Sequence, residues 1–188
     1  SLPLGLIVAF GRMAKNPALQ NLVKAYISIM RGTPLMLQLM VVYFGPFYLF
    51  GIRIGNSYRL WAVFIGFTIN YAAYFAEIYR SGIQSMPAGQ YEAAQILGYS
   101  RSQTFFKIIL PQVIKRILPA LTNEVITLVK DTSLAFTLSV MEMFTVAKAL
   151  AAKGTMAPLL AAGIFYNVFN LLVAVVMEKA EKKLDYYR

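Results

Sequence analysis

The chain contains no cysteine and no histidine. The first absence excludes disulfides and thiolate metal sites. The second removes the usual general base and the commonest metal ligand, and with them any Ser-His-Asp triad. Acidic residues are scarce, 8 Asp and Glu among 188 residues. No two carboxylates stand at catalytic spacing on a polar segment, and no G-x-x-x-x-G-K-(S/T) loop is present to cradle a nucleotide. No catalytic residue, metal ligand or cofactor is therefore expected in this chain, and energy for any work must come from a partner or an ion gradient.

What is abundant is apolar. Hydrophobic residues make up 59% of the chain, mean hydropathy is +0.59, and only 14% of residues are charged. This composition predicts an all-α membrane protein. The formal charge of +10 would suggest nucleic acid in a soluble domain, but here the basic residues flank apolar runs, so no nucleic-acid partner is expected.

Five membrane spans are expected, over residues 2–13, 34–50, 59–79, 112–131 and 158–177, in a single domain over 1–188. A full span needs about 20 apolar residues, so the first is partial: a truncated helix, with a cleaved leader as the alternative. Asn16-Pro17 marks a turn, and Arg31-Gly-Thr-Pro34 interrupts the next helical pattern, with Thr33 as a cap and Pro34 as a start. Gly45-Pro46 should kink or end the second span, and Pro119 should kink the fourth. Gly82, Pro87 and Gly89 should break the chain before a polar loop over residues 82–111. Residues 133–150 read as an amphipathic helix against the membrane. Asn167 and Asn170 read as hydrogen-bonding glue between helices, and Glu178–Arg188 as a charged, soluble tail.

The polar loop reads as two short helices around a glycine turn. Glu92, Ala93 and Ala94 suit a first turn, Gly98 suits the left-handed position that closes a helix, and Ser100 with Gln103 forms a capping box. Phe105, Phe106 and Ile109 give the second helix an apolar face, and Pro111 fixes the start of the helix after it. Such an element either docks in a partner's groove or lies on the lipid surface.

Polar side chains also occur inside the spans. Asn70, Tyr74, Glu77 and Ser81 recur at helical spacing, and Asn123, Thr127 and Lys130 share another face with Glu124 beside them. Glu124 falls near mid-membrane, where a charge costs about 2.5–3.5 kcal/mol, so it should face a cavity or a partner. It either receives a cationic group of a substrate, with Asn70, Tyr74, Asn123 and Thr127 adding hydrogen bonds, or pairs internally with Lys130 or Arg116. Glu77 is expected to pair with Arg80 one turn away, with a role on the transport path, at an inner gate, as the alternative. Lys130-Asp131 is expected to cap or pair at a helix end.

Glu92-Ala93-Ala94, three residues, Gly98, nine residues, then Ile108-x-Leu110-Pro111 resembles the "EAA" signature of permease subunits of ABC importers. Tyr26…Arg31-Gly-Thr-Pro34, Ala76-Glu-Ile-Tyr-Arg80-Ser-Gly-Ile83 and Lys130-Asp-Thr-Ser-Leu134 resemble the polar amino acid branch of that family. The resemblance implies a type I importer fold carrying polar amino acids, with a basic one such as arginine, lysine or histidine preferred and glutamine as the alternative. It implies that Glu92, Ala93, Ala94, Gly98, Ser100, Phe105, Ile108, Leu110 and Pro111 couple to a pair of ATPase subunits. ATP and Mg would sit on those subunits. A second permease, identical or paralogous, and an extracytoplasmic solute-binding protein complete the expected assembly in the inner or plasma membrane. With the loop in the cytoplasm, the inner segments 11–31, 80–116 and 178–188 hold four, five and four basic residues, and the outer ones two and three. That bias places the N-terminus outside and the C-terminus inside. An ion-driven secondary transporter and a non-transporting scaffold are the competing readings.

Overall fold

A computed structural model describes residues 1–183. Among them there is no strand. The helices are α1 (Leu2–Arg12), α2 (Pro17–Gly32), α3 (Leu35–Phe50), α4 (Tyr58–Gln84), α5 (Ala88–Ile96), α6 (Arg101–Gln103), α7 (Leu110–Asp131), α8 (Met143–Ala151) and α9 (Ala157–Lys183). A π-helical segment, Thr104–Ile109, joins α6 to α7, and a 3-10 helix, Thr132–Leu138, follows α7. By length and composition α4 and α9 can each cross a membrane. The count rises to four if two bent pairs are each one span: α2 with α3, bent by 111°, and the rod Arg101–Leu138 with α8, bent by 63°. Leu2–Arg12 is apolar but shorter.

The molecule is assembled around α4. It buries nine residues, whereas α9, of equal length, buries one. The reason lies in small side chains on several faces, which let neighbouring backbones approach closely. On one face Ala73 and Ala76 join Ala9 and Ile27, and a Cβ on Gly5 of α1 would stand 2.8 Å from the Cβ of Phe75. On another, Gly66 receives Leu39 of α3, whose Cδ2 would lie 2.6 Å from an added Cβ. Near the end of α4, Gly82 lies against Ile117 of α7, whose Cγ2 would stand 2.2 Å from an added Cβ, so any larger residue there must push Ile117 aside.

Several expectations need correction. Thr33 does not cap α3: it terminates α2, and Pro34 stands at the cap of α3 with no side-chain bond. The Thr33 hydroxyl instead donates back to the Ile29 carbonyl at 2.8 Å. α3 continues through Pro46 and is closed by Gly51 at φ 66°. Gly82 and Gly89 lie within α4 and α5, so Pro87, the cap of α5, is the breaker of the three. The region 133–150 is not one helix; the 3-10 turn ends at Ser139 in the left-handed region, and Glu142 caps α8 through Phe144 and Thr145 N–H. Asn170 keeps a buried Oδ1 with no partner among the described residues, so it is not glue in this chain. Of the tail, Glu178–Lys183 continues α9, with an exposed Glu178–Lys182 pair at 2.6 Å; residues 184–188 lie outside the described residues.

Candidate functional site

Two regions carry the polar chemistry, at different heights on α4 and α7. The first is the loop. α5 ends in a Schellman turn: Gly98 at φ 76° donates to the Gln95 carbonyl at 3.0 Å, and Tyr99 N–H to that of Ala94 at 3.0 Å. Ser100 then caps α6, its Oγ accepting from Gln103 N–H while Gln103 Oε1 accepts from Ser100 N–H at 2.9 Å. Both features were legible in the residues. Glu92, however, is the fifth residue of α5, not in its first turn, because the helix starts at Ala88. Its placement owes nothing to the helix dipole.

The loop is tied down by its inner face. Ala94, Thr104 and Ile109 are buried. Met86, Ile109, Val113 and Ile117 form a core that receives Tyr91, Phe105 and Ile108 from the loop. Gln112 Nε2 donates to Gln90 Oε1 at 2.6 Å. Glu92, Ala93, Gly98 and Ser100 face outward, with Leu110 and Pro111 half-buried at the root. Ile96, at 87% exposed, Leu97 and Phe106 are large exposed apolar side chains of the loop. Phe106 was expected on the same face as Phe105 and Ile109. The π segment widens the turn and separates them. Pro111 stands in the first turn of α7, as expected, and that turn follows the π segment within one continuous rod.

The second region is a cavity of about 360 Å³, sized for a small solute. Asn70, Tyr71 and Tyr74 of α4 line one wall and Glu124, Thr127 and Asp131 of α7 the opposite one. Thr33, Pro34 and Leu35, from the corner between α2 and α3, and Leu134 of the 3-10 turn close it. Tyr71, buried at 1% exposure, donates its hydroxyl to Asp131 Oδ2 at 2.8 Å. The Arg31 guanidinium stands 5.3 Å from the centre of the Tyr74 ring. Among the described residues neither Glu124 nor Asp131 has a cation within ion-pair distance. The pairing of Glu124 with Lys130 or Arg116 is thus absent; Arg116 donates to the Ser85 carbonyl instead.

The cavity unites Asn70, Tyr74, Glu124 and Thr127 but not the other two residues singled out with them. Asn123 is exposed and Thr127 Oγ1 donates to its carbonyl. Glu77 lies elsewhere, paired with Arg80 at 2.6 Å and approached by Arg12 at 3.9 Å. Asp131, expected as a helix-end pair, and Tyr71 were missed as cavity residues. Part of their signal was present: Glu124, Thr127 and Asp131 fall at three- and four-residue steps, as good a stripe as the one through Asn123 and Lys130.

Over residues 1–186 the chain matches the family described as binding-protein-dependent transport system inner membrane component. It is 39% identical over 184 residues to the probable amino-acid permease protein YxeN of Bacillus subtilis (strain 168), covering 96% of this chain and 81% of that one. It is 36% identical over 187 residues to the L-cystine transport system permease protein TcyB of the same organism, covering 98% and 78%. The crystal structure of an amino acid ABC transporter with histidines superposes with a TM-score of 0.85 at 31% identity, covering 97% of this chain and 84% of that one. Sequence signature, helical fold and relatives agree: the chain belongs to the binding-protein-dependent transport system inner membrane components, the permease subunits of ABC importers.

Proposed function

We propose that the chain carries a basic amino acid through the cavity between α4 and α7. The observation that supports this is a cavity with two carboxylates, Glu124 and Asp131, and no cation paired to either among the described residues. An α-ammonium group needs one carboxylate. The second is left for a cationic side chain, and charge-assisted hydrogen bonds make each contact strong. Arg31, held over Tyr74, is placed to meet the substrate carboxylate. The relative named for L-cystine and the solved transporter holding histidines handle related solutes, which supports the amino acid class and leaves the side chain to this cavity.

In such importers ATP hydrolysis belongs to a separate ATPase subunit, so this chain is not itself the enzyme. The reading places two such subunits beneath the outer face of the loop, where Glu92, Ala93, Ile96, Leu97 and Phe106 are exposed. ATP-driven closure of that pair moves the loop and, through Ile109, Val113 and Ile117, α7 against α4. A second permease subunit, a solute-binding protein at the opposite face, five spans, an outer N-terminus and an inner C-terminus complete the proposal, the topology resting on the basic residues of the inner segments.

The test is uptake in proteoliposomes holding the permease, its ATPase and its binding protein. Glu124→Gln should lower arginine, lysine and histidine uptake about tenfold or more, with glutamine less affected. Equal loss for glutamine would move the site from the side chain to the shared ammonium group. Unchanged uptake of all four, or uptake that follows a proton gradient without ATP, would sink the proposal.

A further inference from the structure

We infer that Gln38, which does not line the cavity, fixes the polarity of Asn70 and thereby makes that wall an acceptor of substrate N–H groups. The inference rests on the reading of the cavity as the substrate path. It begins with a broken helix. α2 stops at Gly32, α3 starts at Leu35, and their axes differ by 111°. A break of this kind leaves carbonyls of the last turn without intrahelical partners, and in a membrane they need other donors.

Two buried carboxamides supply them. Gln38 is 9% exposed and Asn70 is 4% exposed. Gln38 Nε2 donates to the Met30 carbonyl at 2.9 Å, the Thr33 carbonyl at 3.1 Å and Thr33 Oγ1 at 2.8 Å. Asn70 Nδ2 donates to the same Met30 carbonyl at 3.1 Å and to Gln38 Oε1 at 2.9 Å. A side-chain amide can be turned by 180° with little change in shape, so its orientation has to be argued from its partners. Here the partners decide it. Backbone carbonyls only accept, so the Gln38 atom facing Met30 and Thr33 must be nitrogen. Its oxygen is then aimed at Asn70, and the Asn70 atom between two acceptors must also be nitrogen. Both N–H bonds of Asn70 are spent on the corner.

What remains of Asn70 is Oδ1. It is not among the buried polar atoms left without a partner, and Asn70 lines the cavity. The cavity therefore sees an acceptor at that position, on the wall opposite Glu124 and Asp131. All three point the same way chemically: they take N–H donors. Gln38 is a positioning residue, acting through Asn70 and through the corner that carries Thr33, Pro34 and Leu35 into the cavity wall.

The experiment measures arginine binding and arginine-stimulated ATP hydrolysis in the purified permease–ATPase complex, without the binding protein. Gln38→Met keeps length and removes both hydrogen-bonding groups; Gln38→Leu removes both in a shorter side chain. Either should weaken arginine binding about tenfold, raising KM while hydrolysis at saturating arginine stays within about twofold. Asn70→Ala should weaken binding to the same extent, and the double variant Gln38→Met with Asn70→Ala no further. If Asn70→Ala weakens binding while both Gln38 variants that assemble bind normally, the polarity relay is overturned. Additive losses overturn it too, since independent roles add. Should Gln38→Met fail to assemble, Gln38→Leu decides alone. If Glu124→Gln leaves arginine binding intact, the failure belongs to the substrate site and not to the relay.

Discussion

The same two helices, α4 and α7, behave differently at their two polar regions. Beside the loop they touch through Gly82 and Ile117, with no room for one added carbon. At Asn70 and Glu124 they stand apart and enclose about 360 Å³ lined by polar groups. The first contact transmits displacement because close-packed atoms cannot be compressed. The second leaves open space between the same helices, with Asn70 and Tyr74 on one side and Glu124 and Asp131 on the other. One pair of rods thus serves as a rigid joint at one height and a container at another, and the difference is set by side-chain size.

The strongest way to break that contrast is to fill the joint. Gly82→Val should destabilise the fold by about 1–3 kcal/mol, read as a lower thermal midpoint of the detergent-purified complex. Ile117→Ala in the same chain should restore part of the loss, whereas in a glycine background it should only cost; recovery in both would mean the contact is not tight. Next comes the loop's own hinge. Gly98 has open space around it but stands at φ 76°, so Gly98→Val should cost about 1–2 kcal/mol from conformation alone. Its readout is weaker ATPase association, and Gly98→Asn, which tolerates the left-handed region, should be milder. At the container the effects shrink. Tyr71→Phe removes one hydrogen bond to Asp131 and should cost about 1 kcal/mol of arginine affinity by calorimetry while the melting midpoint barely moves. Smallest is Ser100→Ala, about 0.5–1 kcal/mol through loss of the capping box, seen as faster amide exchange confined to residues near 100–104.

What could be read from the residues was whatever local chemistry decides. Gly98, the Ser100 box, the break at Arg31–Pro34 and the Glu77–Arg80 pair each follow from neighbours within four positions. What could not be read was direction. Spacing shows that Asn123, Thr127 and Lys130 share a face, and equally that Glu124, Thr127 and Asp131 do. Only the position of α4 decides which face meets the cavity. Gln38 escaped for a related reason: a glutamine in an apolar run looks like a tolerated polar residue until the corner it serves is seen. The first turn of α5 was misplaced because Gly89 is a poor helix former that Pro87 nevertheless starts into a helix.

The π segment has a further meaning when regarded as an insertion. A π turn holds one residue more than the α-helix around it, and one residue of α-helix is about 100° of rotation. Let the same residues wind as a regular α-helix and everything before them turns by nearly a third of a circle relative to α7. The exposed side chains of Ile96 and Leu97 would then be swung to a different side of the rod. The heading of the whole loop is thus held by the turn that absorbs one surplus residue, inside a helix that looks unbroken.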